Sequence, residues 1–264
     1  VNALDKVPYR QLNLQNSYRF GENIATEANQ ILKQKLKLGT YGNCVAVKGV
    51  GNGLKTNGQT GCLSRKVTGL FALMADVYTA NPQARNYLEG GKRGNPWLYG
   101  RDLLSDIYFL WAKKPNKVKD PIIKQFKHIE ELKQFAYNTN NREISQLIDL
   151  VFMYKGEIFG LKREIIKSIV AEKETADFCF STVHKAKGQE YDYVRMDASF
   201  IKPIDLTELH EAILRHQHAH GAGLSTDLYY AIQRANEEIN IKYVAVTRAR
   251  ISVKHLGENV SYAS

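Results

Sequence analysis

The strongest constraint on the fold is an alternation of short apolar runs with longer stretches of helical spacing. Val45 with Val47, Cys62-Leu63, Tyr87 to Gly91, Phe178 to Val183, Tyr191 to Met196 and Ile251 to Val253 read as strands. Before the first of these Ile24, Ala28, Ile31 and Leu32, and after the second Leu70, Phe71, Met74 and Val77, recur three and four residues apart. That spacing lines up one face of a helix. Ser17 is expected to cap the first helix, Gly39 to stop it, and Asn81-Pro82 to break the second. Strands alternating with helices predict an α/β chain built on a mostly parallel sheet.

Further helices are expected at Arg101 to Trp111, Leu206 to His220 and Leu228 to Ala245, with Gly221 to Gly223 ending the middle one. From Lys113 to about Lys173 the text is lysine-rich. It shows helical periods only, at Ile122 to Phe135, Glu143 to Tyr154 and Leu161 to Val170. Residues 112–175 therefore read as a helical insertion in a domain made of 1–111 and 176–264.

The chain of 264 residues carries a net charge of +10, which suits a polyanionic partner such as nucleic acid. Cys44, Cys62 and Cys179 are widely separated and form neither a disulfide framework nor a CxxC metal pair, so a reducing intracellular setting is expected. No run approaches the roughly 18 apolar residues of a membrane span, so no membrane partner is expected. The stretch opens abruptly at Val1, as a fragment would.

Three segments carry chemistry. Ser181 to Asp192 is a strand running through a small, basic loop into another strand, and Gly188 lets backbone amides approach an anion. Tyr243 to Arg250 ends a helix on Arg248, whose planar guanidinium can fork onto a phosphate. Gln15 to Phe20 sets Arg19 just inside an expected helix start, where dipole and cation together attract an anion. Taken singly, each has an ordinary alternative: a strand connection with solvated lysines, or a surface arginine.

In this order the three segments resemble motifs of the UvrD/Rep-like superfamily-one DNA helicases. Gln15–Phe20 is similar to motif IV, Thr182–Asp192 to motif V and Tyr243–Arg248 to motif VI. The resemblance is closest to the F-box DNA helicase branch. It rests on VNAL (1–4), SYRFGENIA (17–25), CLSR (62–65), YLEGG (87–91), TVHKAKG (182–188) and YVAVTRAR (243–250). It covers most of the chain and is weakest in 112–175 and 203–230.

The resemblance implies a second RecA-like motor domain, with 112–175 as a reduced accessory subdomain. It implies an ATP-dependent helicase moving 3′ to 5′, cytoplasmic if bacterial and nuclear if eukaryotic. Arg19 and Arg248 would meet the γ-phosphate as catalytic groups. Gly188 and Glu190 would face the nucleotide, with Glu190 on the ribose hydroxyls. Thr182 and His184 would touch single-stranded DNA, with Ser64 and Arg65 near the strand. ATP and its Mg2+ would be held mainly by an N-terminal RecA-like lobe lying before Val1, so this stretch alone is expected to be inactive. Where the family often reads Ser-Ala-Lys-Gly-Leu-Glu-Phe, this chain reads Lys185-Ala186-Lys187-Gly188-Gln189-Glu190-Tyr191. Gln189 in place of leucine is a departure beneath Glu190.

Gly49 to Thr56 imitates a phosphate-binding P-loop, but Leu54 stands where the second glycine belongs, so it reads as a decoy. His216, His218 and His220 are spaced by two, which points them around a helix rather than at one metal, and no metal site is assigned. Trp97, Tyr99, Tyr108 and Trp111 beside Arg93 and Arg101 read as a core edge before a base-stacking platform. The rival functions are a non-catalytic nucleic-acid-binding module, a self-contained nucleotide domain using Gly49–Thr56, and a scaffold without a ligand.

Overall fold

The computed structural model describes residues 15–40, 46–51, 57–95, 98, 103–221 and 223–256. The named elements run β1 (Asn16–Ser17), α1 (Glu22–Lys33), β2 (Lys48–Gly49), β3 (Thr60–Ser64), α2 (Val67–Ala80), β4 (Asn86–Leu88) and α3 (Gly91–Gly94). There follow α4 (Leu103–Trp111), α5 (Ile129–Asn138), α6 (Arg142–Tyr154), α7 (Ile158–Lys167), β5 (Phe178–Thr182) and β6 (Tyr191–Met196). The last three are α8 (Pro203–His220), α9 (Thr226–Val246) and β7 (Ala249–His255). The chain divides into two compact units, 1–54 with 201–251, and 55–200 with 252–264.

In the first unit, α1 buries Ile24, Ala25, Ala28, Ile31 and Leu32, the face its spacing predicted. Gly21 in extended backbone precedes its first turn, and Ser17 lies in β1 instead, so the expected serine cap is corrected. The reason is local: β1 pairs in parallel with β2, and Ser17 faces Gly49 in that register. A short 3-10 turn at Gln34–Leu38 ends on Gly39, whose φ of +65° is the left-handed stop expected of glycine. Asn29 donates to the Val47 carbonyl at 2.8 Å and accepts from its amide at 2.9 Å, fastening this edge to α1. Helix α9 is capped by Ser225, whose hydroxyl accepts from the Leu228 amide. It buries Ile232, Ala235, Ile239, Ala245 and Val246.

The second unit holds a five-stranded sheet in the order β4-β5-β3-β6-β7. β4 with β5, β5 with β3 and β3 with β6 all pair in parallel. With helices flanking this sheet, the fold is α/β and matches the RecA-like expectation. The sheet packs through Cys62 and Phe180 against α2, and the same core continues without a break through Ile107, Leu132, Ile148, Val151 and Ile165. The helices of 112–175 therefore bury their apolar faces in the core that α2 and the sheet also use. The single helix expected over Ile122 to Phe135 is instead a 3-10 turn at Ile123–Gln125 followed by α5. Asp120 accepts from the Ile122 and Ile123 amides and stops the chain from running straight into α5.

Tyr108 and Trp111 pack among Phe109, Phe159 and Phe152 as a core edge, whereas Trp97, Tyr99 and Arg101 lie outside the described residues. Val45 and most of the Gly49–Thr56 loop, residues 52–56, also lie outside them. Among the described residues, no helix is long and apolar enough to cross a membrane.

Candidate functional site

The first unit assembles two arginines that are far apart in the sequence. Arg19 follows the exposed Tyr18 and precedes Phe20, which is buried and anchors the turn. The turn is held by backbone contacts from the β2 side. The Val50 and Gly51 amides donate to the Ser17 carbonyl, and the Gly51 amide also reaches the Phe20 carbonyl at 3.0 Å. A Cβ on Gly49 would lie 2.1 Å from the Gly21 carbonyl oxygen, and one on Gly51 would lie 2.5 Å from that of Tyr18. Both glycines are thus required by close backbone approach.

From this turn the Arg19 Nη1 donates to the Thr247 carbonyl at 3.1 Å, across 228 residues of sequence. Arg248 follows Thr247 directly and turns back onto the same helix end. Its Nε donates to the Val244 carbonyl at 3.1 Å, and its Nη2 lies 3.5 Å from the Thr247 hydroxyl. The last carbonyls of α9 carry the negative end of the helix dipole, which offsets the mutual repulsion of two guanidiniums brought together. Tyr243 senses both. Burial pushes its phenol above the ordinary value, while Arg248 and then Arg19 pull it back down. The result is a half-buried, doubly cationic corner with planar donors, chemistry suited to phosphate oxygens.

The second unit carries the 183–190 loop. The β3–β5 register sets Ser64 beside Thr182, and the Val183 amide donates to the Ser64 carbonyl at 3.1 Å. Ser64, Arg65, Thr182 and His184 therefore gather at the carboxyl end of neighbouring parallel strands, where ligands of open α/β sheets bind. His184 is exposed and Arg65 half-buried. Ser64 is fully buried, and its hydroxyl is bonded to the Lys66 carbonyl at 2.6 Å and to Asp197 at 2.9 Å. Of that pair, Arg65 is the one with surface to offer.

Because β5 and β6 both run parallel to β3, the chain must return from the carboxyl end of β5 to the amino end of β6. Gly188 and Glu190 thus lie toward the other end of the loop from Thr182 and His184. Gly188 has a φ of +86° and sits exposed, leaving its backbone open to a ligand, and Glu190 is half-buried. The loop is braced at two points. Lys185 Nζ donates to the Gly94 carbonyl at 2.9 Å, reaching the Gly90-Gly91 turn that buried Asn95 ties to Glu89 and Gly91. Gln189 Oε1 accepts from Lys173 Nζ.

The sequence reading did not single out Tyr243, Asn95, Lys173, or the backbone role of Gly49 and Gly51. The spaced glycines were a visible signal, but they resembled a phosphate loop. Lys173 had no local signal, because its partners Gln189 and Glu89 are distant in sequence, and Asn95 had none because it acts on nearby backbone carbonyls rather than through a side-chain pattern. Among the described residues no three His, Cys, Asp or Glu side chains gather as a metal site, and the His216 and His220 rings stack 4.7 Å apart.

No protein-family model matches the chain. Over an alignment of 270 positions that covers 95% of its length, it is 29% identical to F-box DNA helicase 1 of the chicken, Gallus gallus. The chain spans 24% of that relative, so the likeness is a distant one to about a quarter of a protein named as a DNA helicase.

Proposed function

We propose that the chain is the second RecA-like motor lobe of an ATP-dependent DNA helicase, binding single-stranded DNA and moving 3′ to 5′. The observation that carries this reading is the convergence of Arg19 and Arg248 on Thr247. Phosphoryl transfer to water develops charge on the γ-phosphate oxygens, and preorganised guanidiniums stabilise that charge. The turn behind Arg19 and the α9 terminus behind Arg248 fix both groups before a nucleotide arrives, so little reorganisation is needed.

In this reading a first lobe of the same protein holds ATP and its Mg2+, which supplies Lewis-acid chemistry at the phosphates. Arg19 and Arg248 donate to the γ-phosphate. Glu190 accepts from the ribose hydroxyls, and Gly188 keeps side-chain bulk away from the nucleotide. Thr182 and His184 meet the DNA backbone, with Arg65 beside them. Residues 112–175 act as a reduced accessory subdomain. The chicken helicase likeness supports the assignment across nearly the whole chain. The rival that places a self-contained nucleotide site at Gly49–Thr56 loses support, because Gly49 and Gly51 are already required for backbone packing.

The test is Arg248→Ala in the intact protein carrying both lobes. DNA-stimulated ATP hydrolysis is expected to fall by roughly 10³-fold or more, the scale of an arginine finger. Turnover close to wild type would falsify the reading.

A further inference from the structure

Two of the three places where the 185–191 segment departs from the helicase pattern, Gln189 and Tyr191 but not Lys185, touch one side chain. The Lys173 ammonium donates to Gln189 Oε1 and lies 5.2 Å from the centroid of the Tyr191 ring. It also lies 3.7 Å from Glu89 Oε2, in an ion pair whose side chains are only 21% and 25% exposed. Its backbone is fixed as well. Lys173 opens a 3-10 turn, Lys173–Thr175, and Gln59 Nε2 donates to the Lys173 carbonyl at 2.6 Å and to that of Ala176 at 3.2 Å. Glu89 in turn is hung from the sheet, its amide donating to the Phe180 carbonyl at 2.9 Å.

We propose that Lys173 is a positioning residue for the nucleotide-facing end of the 183–190 loop. Leucine at 189 would hold the loop by apolar packing. Here a glutamine amide cannot do so, and a charge-assisted hydrogen bond from Lys173 takes over, with Glu89 and the Tyr191 ring balancing the ammonium. Gly188 accepts a left-handed backbone and brings no side chain, so the neighbouring Gln189 anchor decides where Gly188 and Glu190 stand. Lys173 stands in sequence between the helices of 112–175 and β5, so a displacement of those helices would reach the loop through this contact. The consequence for ATP rests on the reading of Glu190 and Gly188 given above.

The experiment compares Lys173→Met, Lys173→Arg, Gln189→Leu and the Lys173→Met/Gln189→Leu pair in the intact protein. Hydrogen exchange of the 185–190 amides is read first, because it needs no assumption about function. In Lys173→Met it is expected to speed up about tenfold, the scale of one charge-assisted hydrogen bond, with β3 and β5 amides unchanged. The KM for ATP is expected to rise by a similar factor while kcat stays within about twofold, since the anchor acts on binding geometry rather than on the γ-phosphate. Lys173→Arg, which keeps the donor, restores both readings. The double variant is no worse than Lys173→Met alone, because the two residues act as one anchor. Unchanged loop exchange in Lys173→Met overturns the anchor. Faster exchange with an unmoved KM overturns its positioning role. Wild-type turnover in Arg248→Ala overturns the nucleotide reading instead, and leaves the exchange result to stand by itself.

Discussion

Asp197 sits just past β6, and its carboxylate is tied down by hydroxyls: Ser64 donates at 2.9 Å and Ser199 at 2.7 Å. The Ser199 hydroxyl also accepts from the Arg65 amide at 3.1 Å, so this carboxylate organises the backbone that presents Arg65. A Cβ on Gly69 in the first turns of α2 would lie 1.9 Å from Asp197 Oδ2, which is why that helix position is glycine. Burial raises the Asp197 pKa, and the bonds from Ser199 and Ser64 only partly restore it. A carboxyl group whose pKa is higher folded than unfolded favours the folded state when protonated. Its contribution is lost as pH rises through the folded value. Asp197→Asn keeps an acceptor for Ser199 and removes the charge. The variant is therefore expected to gain stability relative to wild type at neutral pH, and that gap should close as the pH falls toward the ordinary carboxylate range. Urea unfolding midpoints of both proteins at neutral and mildly acidic pH measure it. A gap that widens on acidification would show that Asp197 is charged and net stabilising in the fold.

At the scale of elements, the alternation of strand and helix was legible because each periodicity is local. Gly39 and Gly221 stopped helices where glycine was expected, both with positive φ. Ser17 was misread because its pairing with Gly49 lies in another segment, and no spacing rule sees a parallel two-strand edge. The break between Ile123–Gln125 and α5 was hidden because Asp120 acts through backbone amides and leaves the apolar pattern intact. The motif words marked Arg19 and Arg248, but only the folded chain brings both to Thr247. The turn behind Arg19 makes an element-scale prediction. Gly51→Ala sets a methyl against the Tyr18 carbonyl and the Phe20 amide, at 2.5 Å and 2.8 Å. Overpacking of this kind costs about 1–3 kcal/mol. Thermal unfolding should reveal that loss, and DNA-stimulated ATP hydrolysis should fall with it as Arg19 moves. Unchanged values of both would mean the turn yields freely and does not hold the arginine.

For the molecule as a whole, the net charge of +10 bears on the proposed binding to a single strand. Neutralising phosphates releases condensed cations, so affinity for a single strand falls with salt at a logarithmic slope of about −0.7 for each phosphate engaged. A strand contacted at about five phosphates should therefore lose roughly a hundredfold in affinity between about 50 and about 200 mM salt. A diffuse basic surface would produce a slope too, so the slope alone does not locate the strand. Arg65 separates the two cases, since it stands beside Thr182 at the carboxyl end of β3 and β5 with its backbone held by Ser199. If the strand runs there, Arg65→Ala should flatten the slope by about 0.7, one phosphate contact. Removing a cation from a merely diffuse surface would weaken binding a little at low salt and spread the change over many contacts. A slope identical to wild type in Arg65→Ala, measured by fluorescence anisotropy with a labelled oligothymidine, would move the strand away from this end of the sheet.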